Sequence, residues 1–285
     1  MKILLSLFTV LSLICRTYGN VAADSTVEGL LELGDNNLAT EDPQSAIKYY
    51  EQGIEMFNEE EDSLVTGLSL YTNLGTTYSH IGDERKAMKM YRQAILTYSG
   101  VIDEIVDEKF KKEASDLAAQ AAFFLGMSFQ ELEMFQKAAD AYAYANNLDE
   151  YHWASLANLG SVLQDHMEQH GEALTVYNKA TDILTQRDVE PTDPPEHPKL
   201  VLSQLHYRIG LAITYSGNQK CAMHDDPTKE VPCSEMAANA FNYAIELDSN
   251  NEKAKHMLAS VTADATMRRA SNTYVTQLFE DYAGK

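Results

Sequence analysis

Residues 71–94 read YTNLGTTYSHIGDERKAMKMYRQA, and their spacing decides the fold. Tyr71, Leu74, Gly75 and Tyr78 follow at steps of 3, 1 and 3, so they share one face of a helix. Ala87, Tyr91 and Ala94, at steps of 4 and 3, line one face of a second helix. Gly82 and Asp83 stand between them and supply a turn. The small residues at 75, 87 and 94 let two backbones approach, and the aromatic rings fill the space that remains. The stretch is an antiparallel helix pair.

The pattern recurs. Counted from Gly75, the second-helix marks fall 12, 16 and 19 residues later. Gly34 leads to Ala46, Tyr50 and Gly53, and Gly126 to Ala138, Tyr142 and Ala145, at the same offsets. Gly160 leads to Ala173, Tyr177 and Ala180, one residue late, and Gly210 to Ala237, Phe241 and Ala244, fifteen residues late. This order of large-Leu-Gly-Tyr followed by Ala-Tyr-Ala resembles the tetratricopeptide repeat (TPR) family. The resemblance implies an all-α fold: a right-handed superhelix, or α-solenoid, of about five helix pairs plus C-terminal capping helices, each pair touching mainly its neighbours.

Composition agrees with a solenoid. The chain has 285 residues, and 45% hydrophobic content supplies a continuous apolar strip rather than disorder. Its 43 acidic against 22 basic residues, a formal charge of -21, argue against nucleic acid as a partner, because phosphate binding needs basic surface.

Residues 1–23 have the layout of a secretory signal peptide, with Lys2 first, an apolar run from Ile3 to Cys15, and small residues at Thr17, Gly19, Ala22 and Ala23. Cleavage after Gly19 and cleavage after Ala23 both fit, and an uncleaved anchor is the alternative. The run is too short for a permanent membrane span, and no later segment resembles one. Removing the leader takes away Lys2 and Arg16, which changes the charge from -21 to -23.

Residues 24–186 then hold repeats one to four. The stretch RDVEPTDPPEHPK at 187–199 carries four of the seven prolines and forms a linker. Residues 200–248 form the fifth repeat, with an insertion at 216–232, and residues 249–285 form capping helices, the first at about 252–269. Apolar residues at 101, 102, 105, 106 and 110 are helically spaced, so the first helix of repeat three is expected to reach back to 101.

Few residues offer chemistry. Of three cysteines, Cys15 lies in the leader; Cys221 and Cys233 flank one loop and are expected to form a disulfide, metal binding with His224 being the alternative. His166 and His170, in HMEQH, could bind zinc from one helical face, but the glutamate is misplaced for a metalloprotease, and the motif reads as a solvent-facing hairpin turn. No phosphate loop or nucleophile elbow is present. No cofactor, metal or catalytic residue is expected.

Residues 272–283, NTYVTQLFEDYA, resemble the junction segment of TPR-containing methyltransferases through Tyr274, Val275, Leu278, Phe279, Tyr282 and Ala283, with Glu280 in place of the usual Asp. No strand and glycine-rich turn follow before Lys285. The rival reading is therefore a truncated N-terminal, substrate-recruiting part of such an enzyme without its catalytic domain.

The family resemblance also implies a site. Partners are expected in a concave groove lined by the first helices, at positions three and six before each glycine and one, four and five after it. Those positions are Glu28, Leu31, Asp35, Leu38 and Ala39, then Ser69, Thr72, Thr76, Ser79 and His80. Repeat three offers Gln120, Phe123, Met127, Gln130 and Glu131; repeat four, Ala154, Ala157, Ser161, Gln164 and Asp165; repeat five, Gln204, Tyr207, Leu211, Thr214 and Tyr215. None is lysine or arginine, so a clamp for acidic tails cannot be built there, and Glu28, Asp35, Glu131 and Asp165 would repel an acidic peptide. Phe123, Tyr207 and Tyr215 are the expected anchors, with Met127, Gln130, Ser161, Gln164, Leu211 and Thr214 around them. The chain reads as a non-catalytic scaffold of the secretory pathway, in the ER lumen or extracellular. Its expected partner is a neutral or basic protein or peptide segment with apolar anchors; self-association of the repeats is a further option.

Overall fold

The computed structural model describes residues 26–58, 63–186, 195–222 and 228–262. The leader at 1–23, most of the proline-rich linker and the methyltransferase-like stretch at 272–283 lie outside these residues. The described chain divides into two compact units, one ending at Glu150 and the other starting at Tyr151.

The first unit holds three helix pairs. They are α1 (Val27–Ala39) with α2 (Pro43–Met56), α3 (Leu64–His80) with α4 (Glu84–Val101), and α5 (Glu108–Glu131) with α6 (Phe135–Leu148). Their starts are written in the sequence. Thr26, Asp42, Asp83 and Asp107 each accept a hydrogen bond from the backbone N–H three residues on, satisfying a donor that the helix leaves open. Pro43 occupies the first helical position of α2, where no N–H is needed.

The expected backward extension of α5 is corrected here. Val101 closes α4, Ile102–Glu104 form one turn of 3-10 helix, and α5 begins only at Glu108. Asp107 sets that boundary by capping the Phe110 N–H at 2.9 Å. The apolar spacing of 101–110 continues across a helix end because Ile102 packs on the cluster of Leu68, Tyr98 and Ala118, whereas Val106 is 90% exposed.

The second unit contains α7 (Trp153–Asp165) with α8 (His170–Thr185), α9 (Pro198–Tyr215) with α10 (Cys233–Leu247), and α11 (Glu252–Val261). Its core joins Trp153 and Leu156 of α7 to Tyr177 of α8, Ile213 of α9, Phe241 of α10 and Ala254 of α11. α11 is the expected cap, described as far as Val261. Within the insertion of repeat five, β1 (Lys220–Ala222) pairs antiparallel with β2 (Glu230–Pro232), a hairpin that the sequence reading did not contain.

One turn device ends the first helix of every pair. Glu41, Gly82, Glu133, Glu168 and Gly217 all have positive φ, between 56° and 82°. Each lies seven residues after the helix-A glycine, except Glu168, which lies eight after Gly160. The insertion of repeat five thus follows the same left-handed turn as the other repeats and only then departs.

Candidate functional site

The repeating unit is a glycine under an aromatic ring. A Cβ placed on Gly75, Gly126, Gly160 or Gly210 would stand 2.5–2.6 Å from Cε1 of Tyr91, Tyr142, Tyr177 or Phe241, and Gly34 meets Tyr50 in the same way. All five rings are essentially inaccessible to solvent. Ala46, Ala87, Ala138, Ala173 and Ala237, one turn earlier on the second helices, are fully buried. Burying a ring of roughly 150–250 Å² is what holds each pair together, at about 25 cal/mol per Å².

The hydroxyls of three of these tyrosines reach the expected partner positions. Tyr50 Oη donates to Asp35 Oδ1 at 2.6 Å, and Asn73 Nδ2 of the next repeat donates to the same oxygen at 2.8 Å. Tyr142 Oη donates to Gln130 Oε1 at 3.0 Å. Tyr177 Oη donates to Gln164 Oε1 at 3.1 Å and to Ser161 Oγ at 3.3 Å. Phe241 has no hydroxyl, and Thr214, at Gln164's position in its repeat, bonds the Gly210 carbonyl instead. Burial pushes the Tyr177 phenol up to about 12, so it stays a donor at neutral pH. Asp35, Gln130, Ser161 and Gln164 therefore serve their own repeats first.

The aromatic anchors separate into three cases. In the first unit, Phe123 is only 6% exposed, its ring 5.8 Å from Tyr142 and 5.5 Å from Phe124, so it belongs to the core. Met127 beside it is half-buried. In the second unit, Leu211 is buried and Tyr207 half-buried, its ring 6.1 Å from Phe241. Tyr215, at the end of α9, is 55% exposed and meets the His170 ring at 5.9 Å.

Two charges differ from the sequence expectation. Asp165 is neutralised by Arg208, whose guanidinium nitrogen lies 2.7 and 2.8 Å from its two oxygens. Asp35 is held above the ordinary carboxylate value by burial, against the Tyr50 and Asn73 bonds that favour its charge. Glu28 and Glu131 remain as exposed acids at these positions. His166 and His170 are not on one helix: the first closes α7, the second opens α8, and Glu168 turns the chain between them. Among the described residues no three His, Cys, Asp or Glu side chains converge as a metal site, and no helix is long and apolar enough to cross a membrane. Cys221 and Cys233 are disulfide-bonded, tying β1 to the start of α10.

A surface that the helix-A positions do not include lies on the first unit. α4 presents Arg85, Met88, Lys89, Arg92 and Leu96, spaced 3, 1, 3 and 4 apart, along a trough of about 620 Å³ closed by Leu132 and Met134. Arg92 and Leu96 also bound a second depression of about 420 Å³, whose far side is Lys137, Asp140 and Tyr144 of α6. Leu125 and Phe129 of α5 form its floor. The signal was available: a stripe of bases and apolar residues on the outward face of α4.

The family model for the tetratricopeptide repeat matches residues 25–96. Solved structures similar to this chain include the MamA protein, at 21% identity and a TM-score of 0.52 over 82% of this chain and 96% of that one. YrrB, described as a TPR protein with an unusual peptide-binding site, aligns at 16% identity and 0.50 over 80% and 89%. A tetratricopeptide repeat protein from Parabacteroides merdae aligns at 15% identity and 0.51 over 83% and 72%. No curated protein matches by sequence. Residues 25–96 are thus tetratricopeptide repeat by sequence, and the helix pairs beyond them carry the same fold.

Proposed function

We propose that the chain is a non-catalytic scaffold of the secretory pathway, in the ER lumen or outside the cell, holding a protein or peptide segment against the first helices of its repeats. The Cys221–Cys233 bridge supports an oxidising compartment, as does the leader-like sequence at 1–23. The observation that carries the binding role is Tyr215. A tyrosine 55% exposed at the end of α9 offers contact area at low entropic cost, while the other expected anchors are wholly or partly taken up by the core. With Asp165 paired to Arg208, that face is close to neutral, and the helix-A faces of the first unit keep the exposed acids Glu28 and Glu131. Such faces favour a neutral or basic segment with apolar anchors.

A peptide array probed with the protein tests this. Capture of neutral or basic peptides bearing aromatic or aliphatic residues, weakened by Tyr215→Ala, is the expected result. Capture indifferent to Tyr215→Ala would refute the site.

A further inference from the structure

We propose that the trough along α4 and the depression beside it, which share Arg92 and Leu96, together form a second docking site in the first unit, for an acidic peptide segment carrying apolar side chains. It lies off the expected helix-A positions, and its charge is opposite to that of the first unit's helix-A faces, which keep Glu28 and Glu131 exposed.

In a chain with 43 acids and 22 bases, four cations line two depressions that share Arg92 and Leu96: Arg85 and Lys89 the trough along α4, Lys137 its neighbour, whose lining holds the one carboxylate, Asp140. Gln136 already donates to that carboxylate at 3.0 Å. Among the described residues none of the four cations makes an ion pair, so their charge is available to a ligand. Two of them are also held in place. The Arg92 guanidinium lies 5.5 Å and the Lys137 ammonium 5.8 Å from the centre of the Phe129 ring. Stacking on the ring restrains both cations and lowers the entropy lost when a carboxylate binds.

The apolar part is equally unusual for a soluble surface. Leu96 is 64% exposed, Leu132 44% and Tyr144 37%; Leu132 lines the trough, Tyr144 the neighbouring depression, and Leu96 both. A purely electrostatic site has no use for them. Carboxylates set beside leucine- or phenylalanine-like side chains would satisfy both features, the charges fixing orientation and the apolar groups supplying area. The chain's overall negative charge opposes an acidic ligand, but distant acids are screened beyond a Debye length of about 8 Å at physiological ionic strength, whereas the bordering cations touch the ligand.

The test uses three labelled synthetic peptides read by fluorescence anisotropy: one with acidic and apolar residues, one with its acids replaced by lysine, and one with its apolar residues replaced by serine. The first should bind, and the other two should bind at least about tenfold more weakly. The double variant Arg85→Glu/Lys89→Glu should weaken the first peptide by about tenfold or more. Leu96→Ser should weaken it without altering its salt dependence. These positions are exposed, and an unchanged unfolding transition confirms that each variant is folded. Tyr215→Ala should leave this binding intact, which separates the present site from the helix-A face. Equal binding of the lysine peptide, or binding unmoved by the α4 variants, would overturn the proposal. So would self-association abolished by those variants, which would make a second copy of the chain the occupant.

Discussion

Gly126 lies so close beneath Tyr142 that a methyl group on it would stand 2.6 Å from the ring's Cε1. The same glycine–ring contact recurs in all five helix pairs, and it separates the glycines that build the fold from those that do not. Gly126→Ala forces the ring or the backbone to move and should cost about 1–3 kcal/mol. Gly171→Ala, in the first turn of α8 with nothing within 4 Å of the new methyl, should instead stabilise slightly, by less than the roughly 0.5–1 kcal/mol of a helix interior. Denaturant midpoints of the two variants should move in opposite directions. Parallel shifts would mean that the ring contact is not what fixes the pair.

The left-handed turn residue gives a second expectation. Glu133 has φ of 56°, a conformation that costs an L-residue with a side chain roughly 1–2 kcal/mol. Glu133→Gly should therefore raise stability, by about 1 kcal/mol at most once glycine's greater unfolded-state freedom is counted. A lower thermal midpoint would show that the Glu133 side chain contributes something the backbone does not reveal.

Two half-buried ionisable groups pull the pH dependence in opposite directions. Burial raises the Asp35 carboxyl above 3.8, so the folded chain holds this proton more firmly than the unfolded one. The stability so gained is complete below pH 3.8 and is lost as pH rises through the raised value. Asp35→Asn, which still accepts from Tyr50, should be more stable than wild type at neutral pH and lose that advantage in acid. Burial lowers His206 from 6.5 to about 4, so its contribution is present above pH 6.5 and is lost as pH falls toward 4. His206→Phe, which preserves the edge contact with Tyr243, should lose less stability on acidification. Unfolding midpoints across this pH range decide both cases, and curves parallel to wild type would contradict them.

The disulfide closes a loop with a sequence separation of 12, and such a bridge is worth about 3 kcal/mol on the chain-entropy model. Cys221→Ser/Cys233→Ser should lower the unfolding free energy by about that amount. The loss should concentrate in the α9–α10 pair, whose connection the bridge shortens. Hydrogen exchange resolved by segment would show it there, and a uniform or absent change would argue that the hairpin holds itself.

The helix pairs were legible in the sequence because their determinants are local and periodic. Gly75 with Tyr91 and Gly126 with Tyr142 sit at fixed offsets along the chain. The α5 start was misplaced because helical apolar spacing persists wherever a side chain packs, and Ile102 packs from outside a regular helix. The hairpin at 220–232 was not legible, since strands of three residues carry too short an alternation to register. The candidate site was legible only in outline. Register places Phe123 and Tyr215 each among the expected partner positions of its own repeat, but does not show that Phe123 turns into its own pair while Tyr215 remains exposed. Nor could it show that Arg208 pairs with Asp165, a contact 43 residues apart in sequence. The basic surface does not follow from the repeat register, because Arg85, Lys89 and Arg92 lie on a second helix and meet Leu132 and Lys137 of the next repeat only in the fold.

The scaffold reading itself is tested most directly by photo-crosslinking from position 215. A benzophenone side chain in place of Tyr215, on the helix-A face, is compared with the same group in place of Tyr243, which is 43% exposed on α10. Irradiated with a neutral or basic apolar peptide selected from the array, the protein should crosslink from 215 and not from 243, and unlabelled peptide should compete the product away. Equal yields from both positions, or a product that competitor does not reduce, would contradict a binding face on the first helices.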